Sequence, residues 1–153
     1  MPAGQKRVSL GSDHAGFPLK DEIRSHLAKA GHEILDRGSE SASKDVDYPD
    51  FAVKVVEDVL EGRADKGVLI CGTGIGMSIT ANRFKGIRAA LVHDVTTAEM
   101  AAKHNDANVL CMGARLVAPY LGKLIVDKWL DTPFEERHRC RLDAIEKLTQ
   151  KGR

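Results

Sequence analysis

The sequence predicts an α/β fold: a five-stranded, mostly parallel sheet with helices on both faces, giving three layers, α/β/α. Three observations carry that expectation. Short apolar runs alternate with stretches of helical period from one end of the chain to the other, the pattern of repeated βαβ units. Val68-Leu69-Ile70-Cys71 is apolar at every position, as a strand covered on both faces should be. No internal repeat, low-complexity tract or linker divides the 153 residues, so residues 1–153 read as a single domain.

The first strand reads as Arg7 to Leu10 and ends in Gly11-Ser12-Asp13-His14-Ala15-Gly16. Leu19, Ile23, Leu27 and Ala30 then recur at spacings of four, four and three, a helix that Gly31 stops. Glu33-Ile34-Leu35 is a weaker strand, closed by Asp36-Arg37-Gly38, and the polar, aperiodic stretch Ser39 to Asp47 is a loop. Pro49 opens a helix as a first-turn proline, with Phe51, Ala52, Val55, Val56, Val59 and Leu60 on one broad apolar face. After Val68–Cys71, the glycines of Gly72-Thr73-Gly74-Ile75-Gly76 break the run, and Met77 to Phe84 has a helical pattern. Ile87 to Val92 reads as a fourth strand, also buried. Thr96-Thr97-Ala98-Glu99 has capping-box form and starts a short helix to about His104. Asn108 to Met112 is the fifth strand and Pro119 to Leu130 a helix. Thr132-Pro133-Phe134-Glu135 repeats the capping-box form and starts a last helix that runs to about Gln150.

Composition narrows the function classes. Hydrophobic residues make up 42% and charged residues 29%, the balance of an ordinary globular domain. Lys and Arg number 23 against 22 Asp and Glu. Neither a basic field for nucleic acid nor an acidic excess follows. No apolar run is long enough to span a membrane, and Met1–Arg7 lacks the apolar segment of a signal peptide. Cys71, Cys111 and Cys140 are too few and too scattered for a disulfide framework or a zinc pattern. The expected home is therefore the reducing cytoplasm. No His, Cys or carboxylate set has metal-ligand spacing, so neither metal nor other cofactor is expected.

In such folds ligands bind beyond the carboxyl ends of the strands, and the chemistry-bearing residues cluster there. Cys71-Gly72-Thr73-Gly74-Ile75-Gly76 is the most informative segment. Its glycines let backbone N–H groups approach an anion, and the helix behind adds its positive end. A thiol at such a mouth is biased towards thiolate, which can remove a proton from carbon while the amides steady the developing oxyanion. A plain strand-to-helix turn is the alternative. A dinucleotide site is another, with Asp94 as its ribose-binding acid; but position 77 is Met where that fingerprint needs glycine. Asp13 and His14 follow the first strand and could move protons near neutral pH, or Asp13 could cap the next helix. His104-Asn105-Asp106 could be no more than a helix end. Arg137 and Arg141, four apart with His138 and Arg139 between them, suit a phosphate, or a solvated face paired with Glu135 and Glu136. Arg115 is a lone arginine just past the fifth strand.

Five segments in this order and spacing, Gly11-Ser12-Asp13-His14-Ala15-Gly16, Asp47-Tyr48-Pro49, Ile70 to Gly76, His104 to Leu110, and Arg137-His138 with Arg141, resemble the signatures of the type B ribose-5-phosphate isomerases and their allose- and galactose-6-phosphate relatives. The resemblance covers nearly the whole chain. It implies a Rossmann-like fold and a metal-free aldose–ketose isomerisation of a phosphorylated sugar through a cis-enediolate. It also implies a homodimer or dimer of dimers with shared active sites, in which the C-terminal helix, about 134–150, packs on a neighbouring subunit. Matched residue by residue, Cys71 is the base between C1 and C2; position 75 is Ile, which marks the cysteine type rather than the serine type with a glutamate base. His104 protonates the ring oxygen, with Asp13 as partner. Gly72, Thr73, Gly74, Ile75 and Gly76 cradle the oxyanion, and Asn105 contacts a sugar hydroxyl. His14, Arg115, Arg137 and Arg141 lie near phosphate and sugar, and Tyr48 lines the pocket. The chain length of the sugar, five or six carbons, does not follow from spacing.

Overall fold

The computed structural model describes residues 4–150. Five strands, β1 (Arg7–Ser12), β2 (Glu33–Asp36), β3 (Lys66–Cys71), β4 (Ala89–Leu91) and β5 (Val109–Gly113), form one sheet in the order β2-β1-β3-β5-β4. Every pairing is parallel. Between them run α1 (Phe17–Lys29), α2 (Tyr48–Leu60), α3 (Ile75–Ala81) and α4 (Val95–Lys103); α5 (Pro119–Asp131), a single 3-10 turn (Glu136–His138) and α6 (Arg139–Thr149) follow. The α/β/α expectation thus holds.

Strand parity sorts the core into two layers, because neighbouring residues of a strand face opposite ways. Val68 and Ile70 of β3, with Leu110 and Met112 of β5, pack against α1, α4 and α5 through Ile23, Ala98, Ile125 and Trp129. Leu69 and Cys71, with Val109 and Cys111, face α2 and α3 through Ala52, Val55, Val56, Met77 and Ala81. Both faces of β3 and β5 are buried, which is why these strands read as unbroken apolar runs.

Several elements depart from the expected boundaries. The Ile87–Val92 run is not a buried strand but a three-residue edge strand, half-buried, since only β5 pairs with it. α4 begins one residue before the Thr96 capping box: Asp94 is the cap, its Oδ1 accepting the Thr97 N–H at 2.7 Å. That carboxylate is consumed as a cap, against the ribose-binding role weighed for it. Thr132–Glu135 caps no helix. The Thr132 hydroxyl instead donates to the Lys128 carbonyl at 2.6 Å, closing α5. Arg137 therefore sits on the 3-10 turn and Arg141 on α6, not both on one helix.

A fully buried carboxylate ties one edge of the fold together. Asp58, on the last turn of α2, accepts from Arg37 Nε at 2.6 Å and Nη2 at 2.8 Å, from Arg63 Nε at 2.7 Å and from the Ser9 hydroxyl at 2.7 Å. Burial alone would push this carboxyl up; the hydrogen bonds from Arg37, Ser9 and Arg63 outweigh it and hold the group down at about 2. A carboxyl more acidic folded than unfolded stabilises the fold above its ordinary value of 3.8 and loses that contribution as pH falls towards 2. Asp58→Ala is expected to cost about 3 kcal/mol, because two guanidinium groups and a buried hydroxyl lose their acceptor. Urea denaturation at neutral pH measures it, and the deficit should shrink on acidification into the window between the two values.

Candidate active site

The chain steps from β1 outward to β2 and then crosses to β3 on the other side. The carboxyl ends of β1 and β3 therefore part over a crevice, the place where open α/β sheets hold their ligands. A cavity of about 450 Å³ opens there, lined by Asp13, His14, Ala15, Tyr48, Cys71, Gly72, Thr73, Ile75, Gly76, Ile79 and Arg115. A larger cleft of about 790 Å³ lies along the Ser39–Lys44 loop. Asp36 and Asp58, among its charged groups, are paired with Lys20, Arg37 and Arg63.

Cys71 is the last residue of β3, on the α2/α3 face, and only 5% of its surface is exposed. What remains exposed borders the cavity. The following turn folds back so that the Gly74 N–H donates to Cys71 Sγ at 3.1 Å. Gly74 takes φ +78, and a Cβ there would meet Leu91 Cδ1 at 2.6 Å; glycine alone supplies that conformation without strain. At Gly76 the constraint is space: a Cβ would lie 2.3 Å from the Tyr48 ring. Glycine thus lets the first residue of α2 close over the start of α3. The Thr73 hydroxyl accepts the Ile75 N–H at 3.3 Å, and the Arg115 side chain lies over Gly72.

The opposite wall comes from the segment after β1. Asp13 is nearly buried, its Oδ1 accepting the Gly16 N–H at 2.9 Å. The carboxylate shapes the turn into α1, whose cap position is Gly16. His14 reaches the polar loop: its Nδ1 accepts the Val46 N–H at 3.2 Å and its Nε2 lies 3.5 Å from Asp45.

Four expected site residues lie elsewhere in the chain. His104, the residue after α4, and Asn105 do not line the cavity, nor do Arg137 and Arg141. Asp13 makes no hydrogen bond to His104 among the described residues. These groups gather instead around the 3-10 turn. The His104 and His138 rings are 4.4 Å apart, Arg141 Nη1 donates to His138 Nδ1 at 2.9 Å, and Arg137 Nε donates to Glu135 at 2.6 Å. Two separate clusters result, one with a thiol in a crevice and one with imidazoles and arginines.

His104, Glu135 and His138 bring potential metal ligands within 4.8 Å of one another, a grouping that sequence spacing did not suggest. Glu135, however, already holds Arg137 and Lys103, and His138 holds Arg141. So much positive charge favours an anion over a cation. Sequence reasoning also missed Ala15 and Ile79 in the lining and left His93 unassigned; its Nε2 meets the Thr73 carbonyl at 3.3 Å and braces the glycine turn.

Cys111 neighbours Cys71 but is fully buried; burial, with the nearby Cys71, pushes its thiol up. The folded protein treated with iodoacetamide should therefore carry the label on Cys71 and not on Cys111, as read by peptide mass spectrometry. Label on Cys111 before unfolding would contradict this geometry.

Comparison with known proteins agrees with both fold and motifs. Residues 8–145 match the family model described as Ribose/Galactose Isomerase. Ribose-5-phosphate isomerase B of Escherichia coli is 45% identical over 147 residues, covering 95% of this chain and 98% of that protein. D-erythrulose-4-phosphate isomerase of Pectobacterium atrosepticum is 40% identical, covering 84% of each chain. The structure of Clostridium thermocellum ribose-5-phosphate isomerase B superposes with a TM-score of 0.91 at 45% identity, covering 95% of this chain and 98% of the other. With five ordered motifs, a matching fold and a family match over most of its length, the chain belongs to the ribose/galactose isomerase family.

Proposed function

We propose that the protein interconverts D-ribose 5-phosphate and D-ribulose 5-phosphate through a cis-enediolate, without a metal, in the cytoplasm. The observation that carries the reading is the seat of Cys71: a sulfur at the carboxyl end of β3, bordering a cavity and facing the Gly74 N–H. In the open-chain aldose the sulfur takes the proton from C2. The C2–H electrons form the C1–C2 double bond, and the carbonyl pair moves onto O1. Returning the proton to C1, while the O2 proton passes to O1, yields the ketose. Amides of the Gly72–Gly76 turn, with Thr73 among them, meet the charge on the enediolate oxygens. Tyr48 closes the pocket over the sugar.

Before that, the furanose ring has to open. In this reading His104 gives its proton to the ring oxygen as the C1–O bond breaks, Asp13 receives the proton of the anomeric hydroxyl, and Asn105 holds a sugar hydroxyl. Arg137 and Arg141 bind the phosphate with His14 and Arg115. In one chain these groups lie in two half-sites, so the proposal requires a homodimer, or a dimer of dimers, in which one protomer's half-site faces its partner's. Support comes from α6, which leaves Ile145 and Leu148 exposed and lines a cleft of about 640 Å³ with Leu142 and Phe84. Such an apolar helix face suits burial against a second copy.

Cys71→Ala is expected to lower kcat in a coupled ribose 5-phosphate assay by at least about 10², the scale of general-base catalysis, with the thermal transition unchanged. Unchanged turnover would remove Cys71 from the mechanism, and absence of wild-type turnover on ribose 5-phosphate but presence on allose 6-phosphate would reassign the substrate. EDTA should leave the wild-type rate as it was. A subunit-mixing experiment tests the shared site: Cys71→Ala and His104→Asn proteins, each inactive, should regain about a quarter of the wild-type rate after exchange, since half the dimers then hold one intact site of two. A mixture as inactive as its parts would place both residues in the same protomer's site.

A further inference from the structure

His138 is a titratable group of the second half-site to which the proposed mechanism gives no task, and its surroundings are specific. It ends the 3-10 turn and is only 5% exposed. Arg141 Nη1 lies 2.9 Å from its Nδ1. A guanidinium can only donate, so Nδ1 is the acceptor and the ring proton belongs on Nε2. That Nε2 is buried and has no hydrogen-bond partner among the described residues; a carboxylate oxygen of Glu135 is 3.8 Å away. The ring packs on His104 at 4.4 Å between centroids, tilted by 45°. The turn carrying it is tied to the end of α4 beside His104, where the Glu135 N–H donates to the Lys103 carbonyl at 2.9 Å and the Lys103 ammonium lies 3.4 Å from the Glu135 carboxylate.

We propose that His138 is a positioning residue for ring opening: held by Arg141 as the Nε2–H tautomer, it braces the imidazole of His104 and leaves that ring the only one of the pair to gain and lose a proton. The inference rests on the role given to His104 under the proposed function. Its logic is electrostatic and steric. Two imidazoles in contact resist being charged together. With Arg141 occupying Nδ1, and with Arg137 and Arg141 outnumbering Glu135 around it, His138 is the ring that stays neutral. Burial and the neighbouring Arg137, His104 and Arg141 act in the same direction, holding its imidazole below the ordinary histidine value. A neutral, clamped ring gives His104 a fixed wall without competing for its proton.

The role separates ring opening from hydrogen transfer, so substrates with and without a ring test it. D-ribose 5-phosphate is a furanose, whereas D-erythrose 4-phosphate has its ring-closing hydroxyl esterified and stays open. His138→Phe keeps a ring but loses the Arg141 bond; His138→Asn keeps an acceptor for Arg141 but loses the ring. Both should lower kcat on ribose 5-phosphate by about tenfold or more, the scale on which misplacing an acid–base group acts. KM should change little, and kcat on erythrose 4-phosphate should stay within about threefold of wild type. Equal losses on both substrates would make His138 merely structural, and no loss on either would overturn the proposal. Nitrogen-15 NMR of the wild-type imidazoles decides independently of turnover: a bare Nδ1 and a protonated Nε2 at neutral pH are expected. A protonated Nδ1 overturns the tautomer assignment even if ribose 5-phosphate is the substrate, while failure of the substrate assignment would leave this spectrum as expected.

Discussion

The Gly74 N–H points back at the sulfur of Cys71 from 3.1 Å, and much of the fold is arranged so that this contact can form. Parity along β3 decides which way Cys71 faces. Because Ile70 fills the α1/α5 layer, Cys71 must turn towards α2 and α3, and being the last residue of the strand it does so at the crevice rather than within the core. A shift of one residue in the β3 register would bury the sulfur under α1 and send Ile70 into the cavity. The pairings of β3 with β1 on one side and β5 on the other hold that register in place.

Placing a reactive group at the edge of a tightly packed layer has a structural cost, visible in how little room the turn leaves. The Gly74 backbone has a positive φ, Tyr48 presses on Gly76, and a Cβ at Gly113 would meet the Thr73 backbone at 2.6 Å. Each close approach removes an alternative path for the chain. What remains is a closely packed turn around one sulfur, the preorganisation that the proposed oxyanion stabilisation requires. Cys111 offers the contrast. It has the same side chain on the same face of the neighbouring strand, two residues short of the strand end, and full burial pushes its thiol up. Position along the strand separates a thiol that borders the cavity from one sealed in the core.

The fold was legible because its signals are local. Apolar runs such as Val68–Cys71, helical periods such as Leu19, Ile23 and Leu27, and the glycine breaks each act over a few residues. The misses have local causes too. The Ile87–Val92 run looked like a core strand because its composition is apolar; being an edge strand is a matter of which neighbour pairs with it, which only topology decides. Thr96 lost the cap to Asp94, and Thr132 turned back to close α5 instead of opening a helix, since several side chains near a helix end compete for the same backbone groups. In the candidate site, the residues on the β1 and β3 edges came together as their positions predicted. His104, Asn105, Arg137 and Arg141 did not join them, because linear spacing does not tell which ends of helices and turns fold to the same edge of the sheet.

That division has its own physical reading. The thiol half-site is built on the sheet, where strand register fixes atoms closely. The imidazole–arginine half-site is built on the end of α4, a 3-10 turn and the first turn of α6, held by Lys103, Glu135 and the tilted pair of histidine rings. In the proposed mechanism hydrogen transfer between adjacent carbons depends on where the base and the oxyanion donors sit, which suits the part fixed by strand register. Holding a phosphate through long arginine side chains tolerates looser placement, so it suits an arm. The exception in the proposed mechanism is the proton given to a ring oxygen, which needs a well-oriented imidazole on a support of helix ends and a short turn. On the proposed reading, a second ring packed on the first, itself clamped by an arginine, supplies from helix ends and a short turn the orientation that the sheet supplies elsewhere.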